Sequence, residues 1–224
     1  MQEGTMTMRR LLLVVLAVGM LAVLQTPASA QTYTLQVANQ HVVGTDFIFE
    51  IYLLRTLTTP IYLGNSDFVL TFNAANFTSP AATVSAEGLV TGWYPFGAAV
   101  IANRVILSVG LPPFSSQAQF DARVRNISNV GPLGDLVAEV TISGISTPSG
   151  TAGLQWQNVS PNPTAITTVA NTTPWNGTPI TNVAGHIAPD PAPLPVTLVS
   201  FTGTANASHG GVMLEWKTAS EVNN

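Results

Sequence analysis

The chain is 224 residues long, 46% hydrophobic and only 8% charged, with 7 Lys and Arg against 11 Asp and Glu and a formal net charge of -4. Those figures exclude a disordered polyelectrolyte, which needs low hydrophobicity and high net charge, and a nucleic-acid binder, which needs clustered Lys and Arg against phosphate. With no cysteine, disulfide frameworks, thiolate zinc sites and cysteine nucleophiles are excluded together.

Arg9 and Arg10 precede an apolar run from Leu11 to Leu24, and Gln25-Thr-Pro-Ala-Ser-Ala30 follows it. Basic, apolar and small-x-small segments in that order predict a signal peptide over residues 1–30, cleaved after Ala30, with Ala28 and Ala30 meeting the small-residue requirement. The apolar run is shorter than the roughly 20 residues a bilayer span needs. The mature chain is therefore expected to be secreted, with no membrane span.

Beyond the signal, Phe47, Phe49, Ile51 and Leu53 alternate with Ile48, Glu50, Tyr52 and Leu54, and Phe68, Leu70 and Phe72 alternate with Val69, Thr71 and Asn73. Period two is the signature of a strand with one buried face and one wet face. It recurs from Val100 to Val109, and again at Leu136, Ala138, Val140 and Ile142, with Glu139, Thr141 and Ser143 on the opposite face. Turn clusters such as Gly64-Asn-Ser-Asp67, Gly110-Leu-Pro-Pro113, Gly131-Pro-Leu-Gly134 and Thr147-Pro-Ser-Gly150 separate these runs. No window carries an amphipathic helix. The predicted class is all-β, an antiparallel β-sandwich over residues 31–187.

Composition changes at Ala188-Pro-Asp-Pro-Ala-Pro-Leu-Pro195, where alternate prolines favour extended polyproline II and a stiff linker over residues 188–195. Val196-Thr-Leu-Val-Ser-Phe-Thr-Gly203 and Val212-Met-Leu-Glu-Trp-Lys217 then read as two strands of a hairpin. A lone hairpin is marginally stable. Residues 196–224 are accordingly expected to begin a second sandwich of which the rest is missing.

His41, His186 and His209 fall near an early turn, beside the linker and in the hairpin loop, with no pair at the spacing of metal ligands or a triad. Glu50 and Glu139 take solvent-facing strand positions, and Asp67, Asp121 and Asp135 take strand starts. That pattern speaks for solubility and edge protection rather than an acid-base pair. Calcium at Asp67 or Asp135 would lack an Asp-x-Asp run to concentrate charge. No catalytic, metal-binding or cofactor-binding residue is assigned.

One cluster stands apart, Gly92-Trp-Tyr-Pro-Phe-Gly97. Three aromatics broken by proline and flanked by glycine make a loop or strand end, and its rings have two uses. They form a platform that stacks on sugar faces or partner side chains, or they plug one end of the sandwich, as Trp156 and Trp175 are expected to do elsewhere. Trp93, Tyr94 and Phe96 are the candidate ligand-binding residues.

Two resemblances add to this reading. Leu194-Pro-Val-Thr-Leu-Val-Ser-Phe-Thr-Gly203 with Leu214-Glu-Trp-Lys-Thr-Ala-Ser-Glu-Val-Asn-Asn224 resembles the opening of the fibronectin type III-like module that precedes the sorting domain of many secreted Bacteroidetes proteins. Cell-surface attachment through the type IX secretion system is what that likeness implies. Asp67-Phe-Val-Leu-Thr-Phe-Asn73 with Asn76-Phe-Thr78, and Gly131-Pro-Leu-Gly-Asp-Leu-Val-Ala-Glu-Val-Thr-Ile142, resemble a cohesin-like module of the carbohydrate-binding sandwich superfamily. The usual Tyr-Asp-Pro turn is replaced by Phe72-Asn-Ala74. The expectation is a non-enzymatic binding, adhesion or scaffolding module of the bacterial cell surface with a glycan or protein ligand. The alternative is a carbohydrate-binding module appended to a hydrolase whose catalytic domain lies beyond the fragment.

Overall fold

A computed structural model describes residues 32–85, 87–146, 151–180, 182–190, 198–206 and 211–218. The predicted signal peptide with Ala28 and Ala30, the turn at residues 147–150 and the latter part of the proline-rich linker lie outside the described residues. In chain order the elements are β1 (Tyr33–Val43), β2 (Asp46–Arg55), β3 (Ser66–Thr71), β4 (Ala82–Val84), β5 (Phe96–Ile101), β6 (Arg104–Val109), α1 (Gln117–Arg123), β7 (Asp135–Ile142), β8 (Gln155–Trp156), β9 (Ile166–Val169), β10 (Gly177–Ile180), β11 (Leu198–Asn206) and β12 (Gly211–Thr218).

Two antiparallel sheets, ordered β1-β2-β7-β4 and β5-β6-β3-β8, share one apolar core, and β9-β10 and β11-β12 are two-stranded ribbons. The chain is all-β and sandwich-like, as its alternation predicts. On β2, Phe47, Phe49, Ile51 and Leu53 are all buried, and they join Phe68 and Leu70 of β3, Leu107 of β6 and Val140 and Ile142 of β7 in a single cluster. Burying each such side chain is worth roughly 1.5–3 kcal/mol, so these faces hold the sheets together. Arg55 is also buried at the end of the same face, where its guanidinium donates to the backbone carbonyls of Ile127 (2.9 Å), Leu57 (3.1 Å) and Thr58. Three carbonyls make a buried cation tolerable without a carboxylate partner.

Three expectations are corrected. The run Val100 to Val109 is not one strand: it folds back at Ala102 (φ 59°), pairing Val100 with Val105. Apolar residues on both arms hide the turn from a periodicity count. Leu136 does not share the buried face of Ala138, Val140 and Ile142. Ile51 pairs with Ala138 while Tyr52 pairs with Leu136, so Val137 is the extra residue of a β-bulge, and the phase of β7 reverses there. Asp121 does not start a strand but lies in α1, the one α-helix among the described residues. Ser116 caps it by accepting from the Gln119 N–H (3.3 Å), and the Gln119 side chain accepts from the Ser115 N–H (2.9 Å). Ser116-Gln-Ala-Gln119 has the capping-box spelling. Phe120, its buried residue, stacks with Trp175 at 6.4 Å and meets Phe114 edge-on at 5.1 Å in a second, smaller apolar cluster.

After β10 the chain returns along the edge of β1. Ile187 N–H donates to Leu35 O at 2.9 Å, Trp156 Nε1–H to Ile187 O at 2.8 Å, and Gln40 Nε2–H to Asp190 O at 2.8 Å. This strap covers backbone groups that an open edge would leave unpaired. His186 sits within it, bonded to the Tyr33 hydroxyl (2.7 Å) and to Asn158 Oδ1 (2.5 Å). An amide oxygen only accepts, so Nδ1 carries the proton and Nε2 accepts from Tyr33. Burial lowers the His186 pKa and pushes the Tyr33 hydroxyl up to about 12.

Candidate functional site

The aromatic cluster divides three ways. Tyr94 is 4% exposed, Trp93 is 56% exposed, and Phe96 is 43% exposed at the start of β5. Trp93 and Tyr94 line a groove of about 750 Å³, within the roughly 300–1,000 Å³ of ligand pockets. Phe96 is not among its lining residues.

Tyr94 works as a structural pin. The segments 61–63 and 125–127 pair as short antiparallel stretches, with Ile127 N–H donating to Ile61 O at 2.8 Å and Leu63 N–H to Arg125 O at 3.0 Å. The reciprocal bond from Arg125 N–H to Leu63 O would complete that pair. The Tyr94 hydroxyl takes its place, accepting from Arg125 N–H at 2.8 Å and donating to Leu63 O at 3.1 Å. Burial pushes this hydroxyl up to about 12, against the opposing pull of its bond to the Arg125 backbone. The loop carrying Trp93 is thus tied to the opposite wall through its neighbour. Gly88 closes the other end of the loop: at φ +69° it lies so near β7 that a Cβ would stand 2.5 Å from Leu136 O, so no larger residue fits.

The second wall comes from α1 and the residues after it. Phe120 anchors the helix, and its last turn carries Arg123, whose guanidinium lies 4.4 Å from the centre of the Trp93 ring and donates to Pro113 O at 2.5 Å. A cation over an exposed ring contributes about 0.5–1 kcal/mol. Arg125 pairs with Asp135 at 3.1 Å, and the other oxygen of Asp135 accepts from Ser128 N–H at 2.7 Å. The bulge at Val137 directs Leu136 and Asp135 to the groove. Sequence reasoning found Trp93 and Tyr94 but not Arg123, Arg125 or Asn126, because nothing in their spacing foretells that a short helix sets them opposite an aromatic loop.

A second gathering lies on the outer face of the first sheet, where Glu50 and Glu139 are cross-strand partners and carboxylate oxygens of Glu50, Glu87 and Glu139 come within 4.8 Å of one another. Asn39 and Tyr52 (2.7 Å) donate to Glu50, and desolvation, followed by that hydrogen bond and the charges of Glu50 and Glu87, pushes the Tyr52 hydroxyl up to about 12. Three acceptors at that separation are the one such group among the described residues that could ligate a cation. Of the aspartates read as strand starts, Asp67 accepts from Ser108 Oγ (2.6 Å) and Asp121 accepts through Oδ1 from Gln117 Nε2 (2.8 Å). His41 is exposed and His209 lies outside the described residues. No helix among the described residues is long and apolar enough to cross a membrane.

No protein-family model matches the chain, and no curated protein does. Among solved structures it is similar to the seventh ScaB type I cohesin from Pseudobacteroides cellulosolvens, at 12% identity and a TM-score of 0.40, covering 71% of this chain and 88% of that one.

Proposed function

We propose that this chain is a secreted, non-enzymatic binding module of an adhesion or scaffolding protein, and that it seats its ligand in the groove beside Trp93. The observation that carries the reading is the contrast between neighbours: Tyr94 is buried and bonded on both sides of its hydroxyl, while Trp93 stands 56% exposed at the rim. A large flat ring standing at the rim of a groove offers area that a partner can cover, and Trp is among the residues that carry most binding energy where it is covered. A loop tied down by Tyr94 and Gly88 holds the Trp93 ring in place before any ligand arrives, which spares the ordering cost of binding. Arg123 is held by Pro113 O, Arg125 by Asp135 and Asp121 by Gln117, which fixes the polar groups of the groove while leaving part of their hydrogen-bonding capacity for a ligand. Export by the predicted signal peptide, and a second module begun by β11 and β12, belong to the same proposal.

The test is a pair of arrays, one of printed glycans and one of printed peptides, probed with the full chain and with Trp93→Ala. Spots bound by the chain should lose most of their signal with the variant, whose fold should remain intact by circular dichroism. Equal signal from both proteins, or none from either, would refute the reading.

A further inference from the structure

We infer that the groove is a subsite for a neutral pyranose, one sugar unit of an uncharged glycan; this rests on the binding-module reading above and names its ligand class. The charge of the lining comes first. Asp121 and Asp135 face the groove together with Arg123 and Arg125, and the two signs balance. A uronate or phosphate would have to enter beside two carboxylates, and a cationic peptide beside two guanidinium groups. An uncharged ligand meets neither repulsion.

Hydrogen-bonding capacity comes second. The Asn126 side chain makes no hydrogen bond among the described contacts, Arg125 engages Asp135 through Nη2 alone, and Asp121 accepts from Gln117 through Oδ1 alone. The groove therefore holds an amide able to give and accept, a guanidinium fork and a carboxylate oxygen, all without protein partners for part of their capacity. Adjacent hydroxyls of a sugar, each donor and acceptor at once, match that mixed set. A protein partner would have to enclose Asp121 and Asp135, and carboxylates are depleted from the centres of protein interfaces.

The aromatic contact comes third. Trp93 keeps more than half of its surface in water even with Arg123 over its ring. On the side that Arg123 leaves uncovered, the flat indole offers the C–H face of a pyranose a surface to stack on, and Asn126, Arg125 and Asp121 line the same groove with polar groups for its hydroxyls. Both walls are fixed by bonds already described, so the sugar would enter a formed site.

The experiment is native affinity electrophoresis of the full chain in gels cast with neutral polysaccharides (hydroxyethylcellulose, arabinoxylan, galactomannan), with polygalacturonate as the anionic counterpart, run beside Trp93→Ala and Asn126→Ala. The inference expects retardation in at least one neutral gel, weakened about tenfold in Trp93→Ala, the size of a lost stacking contact of roughly 1.4 kcal/mol, and severalfold in Asn126→Ala. Retardation by polygalacturonate alone would overturn the neutral-ligand class and leave the binding module standing. No retardation in any gel, with Trp93-dependent signal on the peptide array, would overturn the saccharide and leave the groove. Retardation unchanged in Trp93→Ala would overturn the site itself, for this inference and the reading beneath it alike.

Discussion

Replacing Tyr94 by Phe removes one oxygen and keeps the ring that fills the core. Two backbone groups then lose their partner: Leu63 O, which accepts from the hydroxyl at 3.1 Å, and Arg125 N–H, which donates to it at 2.8 Å. A buried polar group left unsatisfied costs about 1–3 kcal/mol. Because the Leu63 contact is buried and the Arg125 contact part-buried, the pair together should cost about 2–4 kcal/mol. For a domain of this size, that lowers Tm by roughly 5–15 °C. Urea denaturation followed by tryptophan fluorescence should show the midpoint fall with its slope unchanged. Tyr62→Phe is the control, since no hydrogen bond is described for that hydroxyl, and it should stay within about 0.5 kcal/mol. The pH dependence gives a second readout. Burial raises the Tyr94 pKa to about 12 from the ordinary 10, so the folded state favours the neutral phenol. Its contribution is complete below pH about 10 and lost as pH rises through 12, and Tyr94→Phe should flatten that alkaline slope. A Tyr94→Phe protein as stable as the wild type would mean that 61–63 and 125–127 close on each other without the hydroxyl, and that Tyr94 does not pin the groove.

Two further outcomes follow from groups outside the groove. His186 has its pKa lowered by burial, and its ring meets Tyr33, Asn158 and Trp156, none of them charged near neutrality. The folded state thus binds the proton less readily than the unfolded chain, so stability is complete above pH about 6.5 and falls as pH drops toward the depressed value; His186→Gln should lose less between pH 7 and pH 5.5, and parallel losses would contradict the strap geometry. Glu50 faces Glu139 across β2 and β7 with Glu87 close by. Like charges so placed are destabilising, by the roughly 0.2–1 kcal/mol of a cross-strand pair, so Glu139→Gln should raise Tm by a few degrees at low ionic strength and by less in high salt, where the repulsion is screened.

The strands of the core were legible because burial of one face imposes period two, and Phe47, Phe49, Ile51 and Leu53 obey it without interruption. Alternation of that kind is a local consequence of the pleat, and it reports an all-β chain before any partner strand is known. The interest of Gly92-Trp-Tyr-Pro-Phe-Gly97 was legible too, from composition alone. What composition could not decide was which ring goes inward. Trp93 and Tyr94 are neighbours of similar character, and Tyr94 goes inward because its hydroxyl bonds to two backbone segments 31 residues away in either direction. The bulge at Val137 is of the same kind: a single extra residue reverses the phase of β7, while the three successive apolar residues Leu136, Val137 and Ala138 leave that phase open in the sequence. Arg123, Arg125 and Asn126 belong to the groove only because a short capped helix is anchored through Phe120 and Trp175. A periodic pattern is a property of consecutive residues and survives in the sequence; a binding site is a meeting of segments distant along the chain, and only the packing that brings them together decides which side chains share it.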